Sequence, residues 1–276
     1  MERIRSHLAC RYYRMRLSVP QLAVCLLNLQ VITCIHAQDT LEPGVHPCRV
    51  KAQVEPCRTI READVMWERR VWRVIDLNEK VNSSLAMPQG SRAGCMDLFG
   101  IIRHGLLDEG SITAYDPGPE KVDDAFTLPM TRPELERLFD TIDTLRPVPI
   151  ARIMIKEDWI FDRQRGEMIV RIIGIAPMIE VRGELGEVRG YEPIFWLYYP
   201  ECRLLFARWV HREDKDGNAI SYESYFAQRR FKSTIIKVAN MQERRINAYR
   251  SGLDALLEGE AIRDQLYNMG FDLWHY

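Results

Sequence analysis

Arg152-Ile153-Met154-Ile155-Lys156-Glu157-Asp158-Trp159-Ile160-Phe161 opens the region that decides the fold. From Ile150 onward the hydrophobic period is two, the period of a strand. Met168–Val181, Tyr191–Tyr199 and Arg203–His211 continue it, rich in Ile, Val, Phe, Tyr and Trp. The separators are short and turn-like: Asp162–Gly166, Arg182–Gly186, then Pro200-Glu201. Short separators join antiparallel neighbours, so the reading predicts a four-stranded meander ending at Asp214–Asn218. Ile194-Phe195-Trp196-Leu197-Tyr198-Tyr199 is apolar throughout, which suits a core strand covered on both faces.

Helical signals lie on either side. Towards the N-terminus, Thr59 stands as an N-cap with Glu62 three residues on, predicting a helix over Thr59–Trp67. Arg70–Leu77 fits a helix continuation or a buried strand, and periodicity does not choose between them. Asn82–Gly94 reads as a loop and Met96–Leu107 as a helix; Ile112–Tyr115 reads as a short strand before an Asp116-Pro117-Gly118 turn. Thr131 caps a helix carrying Leu135, Leu138, Phe139 and Ile142, which Pro147 and Pro149 stop. Towards the C-terminus, Tyr222–Lys237 alternates aromatic and basic residues and reads as helix. Leu253–Leu266 is amphipathic, with Leu256, Leu257, Ile262 and Leu266 expected to face inward. The fold class is therefore α+β: a helical N-terminal half, an antiparallel four-stranded meander and C-terminal helices. Residues 59–276 form one domain, with Pro147–Pro149 as the alternative boundary between lobes.

The chain has 276 residues, 28% of them charged and 46% hydrophobic, the proportions of a globular protein. Its formal net charge is −1. The first 37 residues hold five arginines and one glutamate, so the remainder is more acidic than the whole. An acidic body argues against binding nucleic acid by neutralising phosphates. Arg3, Arg5, Arg11, Arg14 and Arg16 precede an uncharged stretch from Leu17 to Ile35 whose apolar centre is short. A bilayer core needs roughly 20 predominantly apolar residues. Residues 1–37 therefore read as an export signal cleaved after Ala37. Cys25 and Cys34 lack the small preceding residue of a lipidation box, so a soluble exported protein is expected. Residues 38–58 read as an extended lead-in, and Cys48–Cys57, flanked by Pro47 and Pro56, is the first disulfide candidate.

Signals for chemistry are weak. Read as a calcium loop, Arg212–Glu223 places Asp214, Asp216, Gly217 and Glu223 on ligand positions, but puts the cation Arg212 first. A zinc site would draw on His46, Cys48, Cys57, His104 and His211, without two close pairs of ligands. Glu157, Asp158 and Asp162 are the nearest approach to an acid–base pair. Adjacent strand residues point to opposite faces, so Glu157 and Asp158 do not face one bond, and a solvated strand end and hairpin is expected. No nucleophile elbow, P-loop, dinucleotide fingerprint or metalloprotease helix occurs. No catalytic, cofactor or metal residues are assigned. Aromatic and arginine enrichment instead suits a protein interface. The candidates are Trp67, Trp72, Trp159, Trp209, Tyr225, Phe226, Arg229 and Arg230, with Trp196 assigned to the core.

Several strings, long and in order, resemble the GldN/PorN family. They are Ala63–Trp67 with Arg70–Leu77, Ile112–Asp116, Ile155–Trp159, Arg171–Pro177, Tyr198–Arg203, Asp254–Leu257 and Asp272–Trp274. The resemblance covers about residues 60–276 and implies a periplasmic component of the type IX secretion system of Bacteroidota, serving protein export and, in some species, gliding. It implies self-association in a ring, with an outer-membrane lipoprotein of the GldK/PorK type. A link to the periplasmic part of a GldM/PorM-type energising complex is implied too. No catalytic residue carries over. The rival classes are an exported envelope hydrolase, which needs polar groups converging in a pocket, and a monomeric periplasmic binding module.

Overall fold

The computed structural model describes residues 48–86, 95–144, 150–213, 219–242 and 244–273. The chain divides into two units, Met1–Val45 and His46–Tyr276, and all described residues belong to the second. Residues 1–37, read as an export signal, the expected Pro147–Pro149 boundary and Asp214–Asn218 lie outside the described residues.

The described strands are β1 (Val65–Asp76), β2 (Ala114–Tyr115), β3 (Arg152–Asp162), β4 (Glu167–Arg182), β5 (Val188–Pro193), β6 (Trp196–Tyr198), β7 (Val210–Glu213), β8 (Ala219–Ser221) and β9 (Thr234–Val238). The helices are α1 (Ser83–Ala86), α2 (Leu98–Arg103), α3 (Arg132–Thr144), α4 (Tyr199–Arg208), α5 (Tyr222–Ala227) and α6 (Gly252–Leu273). Seven strands form one sheet in the order β2-β6-β4-β3-β1-β9, with β5 also on β4. All its pairings are antiparallel. The two strands β7 and β8 pair separately.

The α+β class holds, but the helical N-terminal half and the four-stranded meander do not. Only Glu62–Asp64 turns, as a short 3-10 helix. Val65–Asp76 is instead a twelve-residue strand zipped to β3 from Val65↔Asp162 to Asp76↔Arg152. Val71, Trp72, Val74 and Ile75 suit a pleated surface, and a long paired neighbour outweighs the N-cap signal at Thr59. Two strands of the meander, β3 and β4, stand where expected. Tyr191–Tyr199 breaks into β5 and β6. Arg203–His211 is mostly the helix α4, with Pro200 in its first turn. Its buried Cys202, Leu205 and Phe206 recur at helical spacing. Tyr222–Lys237 is helical only to Ala227; Arg229 then takes a left-handed φ of 52°, and the chain enters β9.

Alternation splits the sheet into two faces. One carries Ile75, Ile153, Ile155 and Ile175, buried under α2, α4 and α5. Towards its other end Val71, Trp159 and Ile235 are covered by Leu266 of α6. The opposite face carries Trp72, Met154, Ala176, Met178 and Trp196, with Phe126 of the Asp116–Met130 loop against them. Phe126 lies so close to β4 that a Cβ on Gly174 would come within 2.7 Å of its ring.

α6 is a helix as expected, but its orientation differs. Ala255, Ile262 and Leu266 pack on the sheet, whereas Leu256 and Leu257 are 52% and 58% exposed. Gly259 sets that rotation: a Cβ there would lie 2.8 Å from the Ile235 carbonyl. Only a glycine lets the helix rest directly on the β9 backbone.

The disulfide also differs from expectation. Cys48 pairs with Cys95, Cα atoms 5.5 Å apart, while Cys57 is free and exposed and Cys202 free and buried. Cys48 is held in the core by Val210 N–H donating to its carbonyl (2.9 Å), beside the Arg49–Trp209 bridge. Closing a loop with a sequence separation of 47 stabilises by about 4 kcal/mol in the chain-entropy model.

Candidate functional site

Most of the aromatic interface candidates are core residues. Trp72, Trp159, Trp209, Tyr225 and Phe226 are all buried, as is Trp196. Trp159 meets Tyr267 of α6 edge-on at 5.5 Å, and Arg49 stacks 4.8 Å over Trp209. Tyr225 and Tyr222 flank the buried His211 at 4.3 and 4.8 Å. Of the proposed set, Trp67, Arg229 and Arg230 keep part of their surface in water. Arg69 stacks 5.4 Å over Trp67, and Arg230 donates to Gln228 at 2.7 Å.

The three carboxylates around Trp159 are not solvated. Glu157 is fully buried on the helix-covered face, accepting from Arg229 Nη2 (2.7 Å) and Trp159 Nε1 (3.2 Å). Asp158 points the other way, into a two-pronged pair with Arg70 at 2.6 and 2.9 Å. Their opposite orientation is as expected, but both lie within the sheet layers and are paired. A charge buried this way persists only with a partner. Arg73 lies near Glu157, donating to Ser233 Oγ at 2.9 Å. Burial pulls its pKa down, and Arg229 adds to that against the pull of Glu157. Asp162 closes the β3–β4 hairpin. Burial pushes its carboxyl up, but Arg165 and the N–H groups of Gln164 and Arg165 outweigh this and hold it below the usual range.

A second polar knot ties the lead-in to the helices. Glu109 accepts from Arg49 (3.0 Å) and Arg208 (2.9 Å), with His104 Nε2 at 3.2 Å. Burial raises the Glu109 pKa, and Arg208, His104, Ser111 and Arg49 together reverse the sign. His104 Nδ1 lies 2.7 Å from Asp108. On the opposite face Asp124 takes Trp72 Nε1 (2.5 Å) and Lys156 Nζ (3.0 Å), and Lys237 sits 4.2 Å over the Trp72 ring. Each knot sets a carboxylate against one or more cations from distant segments, an arrangement that positions elements.

The metal readings fail at their anchor residues. Cys48 is in a disulfide, and Glu223 is fully buried against Arg203 (2.6 Å), the geometry of a structural ion pair. Among the described residues no group of three or more His, Cys, Asp or Glu is placed to hold a metal ion.

Two surfaces were missed by sequence reasoning. One is on α6, where Leu253, Leu256, Leu257, Tyr267 and Phe271 are exposed. Their signal was the leucine pair itself, which amphipathic logic turned inward. The other is a cleft of about 580 Å³ between Glu55–Arg58, the Glu167–Ile173 part of β4, and Tyr199, Pro200, Arg203, Glu223, Phe226 and Arg229. A further cavity of about 400 Å³ is apolar apart from Asp97 and Asp143. Asp97 caps α2 through Gly100 N–H (2.8 Å), and Asp143 pairs with Arg103 (2.8 Å). Among the described residues no helix is long and apolar enough to cross a membrane.

No curated protein matches the chain. The family model described as gliding motility associated protein GldN matches residues 60–275, most of its length. That span runs from the turn before β1 to the end of α6, so it takes in the whole sheet and its helical covers, and the chain belongs to the GldN family.

Proposed function

We propose that the protein is a non-enzymatic structural subunit of a type IX secretion system, exported to the periplasm and held at the outer membrane through its partners. In this reading copies associate head-to-tail in a ring with a lipoprotein of the GldK/PorK type. The same subunit contacts the periplasmic part of a GldM/PorM-type energising complex. The observation that carries the reading is the GldN family match over residues 60–275. The exposed leucines of α6 are consistent with it, because contiguous apolar surface marks association sites. A ring requires two different patches per subunit, and the α6 surface and the β4 cleft lie on different elements.

Chemical crosslinking in envelope fractions, followed by mass spectrometry, tests the proposal. The expected products are adducts between copies of this chain and adducts to a lipoprotein recovered in near-equal amount. A mature chain that stays monomeric beside every envelope component, or that turns over a cell-wall substrate, overturns it.

A further inference from the structure

α6 carries two seams, one on each side. The inner one packs on the sheet through Ala255, Ile262 and Leu266, with Gly259 buried between them. The outer one is Leu253, Leu257, Glu260, Asp264, Tyr267 and Phe271, in alternating steps of four and three residues. That alternation is the spacing at which one helix meets another along its length. It runs for about 27 Å at 1.5 Å per residue. Its four apolar members are exposed, and both carboxylates reach water. Leu256 widens the apolar end beside Leu253 and Leu257. The outer seam is therefore apolar at both ends and acidic in the middle.

The cations around it do not cancel the acid. α6 holds Asp254, Glu258, Glu260, Asp264 and Asp272 against Arg263 alone, a net charge of −4. Arg263 is shared between Glu260 (2.5 Å) and Asp264 (3.2 Å), so one guanidinium serves two carboxylates. Arg250 pairs with Glu258 at 3.6 Å, which leaves the helix an excess of three negative charges.

That charge selects among the occupants of such a face. A second α6 is a poor match. Antiparallel pairing would set Leu253 on Phe271 and Leu257 on Tyr267, but Glu260 on Asp264, with four carboxylates against two arginines at the crossing. Parallel pairing would set each carboxylate on its own equivalent. Like charges opposed across an interface suppress that pairing. Among the described residues, the other long helices of a second copy do no better. α3 has four carboxylates and two arginines, and the two arginines of α4 are committed to Glu223 and Glu109. A lipid surface is a poor match too, since helices that lie on anionic membranes present lysine and arginine beside their apolar face.

We propose that the outer seam of α6 receives an amphipathic helix from a different protein. That helix sets apolar residues against Leu253, Leu257, Tyr267 and Phe271, and lysine or arginine against Glu260 and Asp264. Apolar burial and the two aromatic anchors supply affinity, and the charges fix register and orientation. The inference rests on the assembly reading above and gives one contact of that assembly the chemistry of its partner.

The test uses the full chain in its own cells, with the photo-crosslinking amino acid p-benzoylphenylalanine at Leu257 and, as control, at Leu185, exposed between β4 and β5. The expected adduct from position 257 is to a different protein. Mass spectrometry should map it to a segment with apolar residues at steps of three and four and lysine or arginine between them. Glu260→Lys with Asp264→Lys lowers the yield at least about tenfold, and replacing the mapped basic residues of the partner by glutamate restores it. Thermal melting of the purified double variant checks its fold, with Glu260→Gln and Asp264→Asn as substitutes if the lysines prevent folding. Four results overturn the proposal: no adduct at position 257, adducts only to a second copy or to the chain itself, a mapped segment without basic residues, or a yield indifferent to the charge reversal. Where ordinary crosslinking still shows envelope association, the helix seam alone has failed; where the wild-type chain shows none, the assembly reading has failed first.

Discussion

Two helical covers lie on the same face of one sheet, and they handle apolar side chains differently. Under α2, α4 and α5 nearly every large residue is enclosed, and Phe139, Phe195, Phe206 and Phe226 have no exposed surface to speak of. α6 seals its patch with Leu266, Ile262 and Ala255 and leaves Leu253 69% exposed, with Leu256 and Leu257 beside it. The first cover encloses the larger of the two clusters. The second holds more leucine than its own sheet can use, which is why α6 belongs with association in the proposed function.

Breaking the first cover gives the largest effect. Phe206→Ala is expected to cost about 3–5 kcal/mol, read as a lower midpoint in urea for the whole domain. Leu266→Ala in the second cover costs about 2–3 kcal/mol. Amide exchange sharpens the contrast there: α6 should lose protection while β3 and β4 keep theirs, and uniform loss would show that the covers are not separable. Acid acts on both ends more gently. The carboxyls of Asp162 and Glu109 are held below their ordinary range in the fold. Their contribution is therefore fully present above the unfolded carboxylate value, about 4, and is lost as pH falls through the depressed one. A urea midpoint that stays flat from pH 6 down to about 3 would contradict this. The smallest expected change is in Leu256→Ser with Leu257→Ser, within about 0.5 kcal/mol of wild-type stability because both side chains already face water. The same pair should reduce crosslinked assembly in the envelope, and undiminished assembly would remove α6 from the interface.

Legibility in the sequence followed how local each signal was. β3 and β4 were readable because their alternation is long and the Asp162–Gly166 turn joins them directly. α6 was readable as a helix, yet its rotation depends on Gly259 meeting the Ile235 carbonyl, a contact between distant segments. β1 was ambiguous because its residues suit either structure, and pairing with a strand some eighty residues later decides it. α4 was misread although Cys202, Leu205 and Phe206 carried the helical period, since the neighbouring aromatic run looked like more strand. Trp72, Trp159, Trp209, Tyr225 and Phe226 turned out buried for a related reason: aromatic residues are enriched in interfaces and cores alike, and type alone does not separate the two. Family strings such as Arg171–Pro177 were legible because they are long enough to identify kinship without any statement about packing.

The Cys48–Cys95 bond has a mechanical consequence. Tension applied to the chain ahead of residue 48 reaches the helical layer at Cys95 through a covalent link. Residues 51–60 lie beyond that junction, so the load bypasses them and the first turn into β1. A subunit tugged from its N-terminal side therefore transmits force through its best-packed layer, and the connection from Cys48 to β1 stays unloaded.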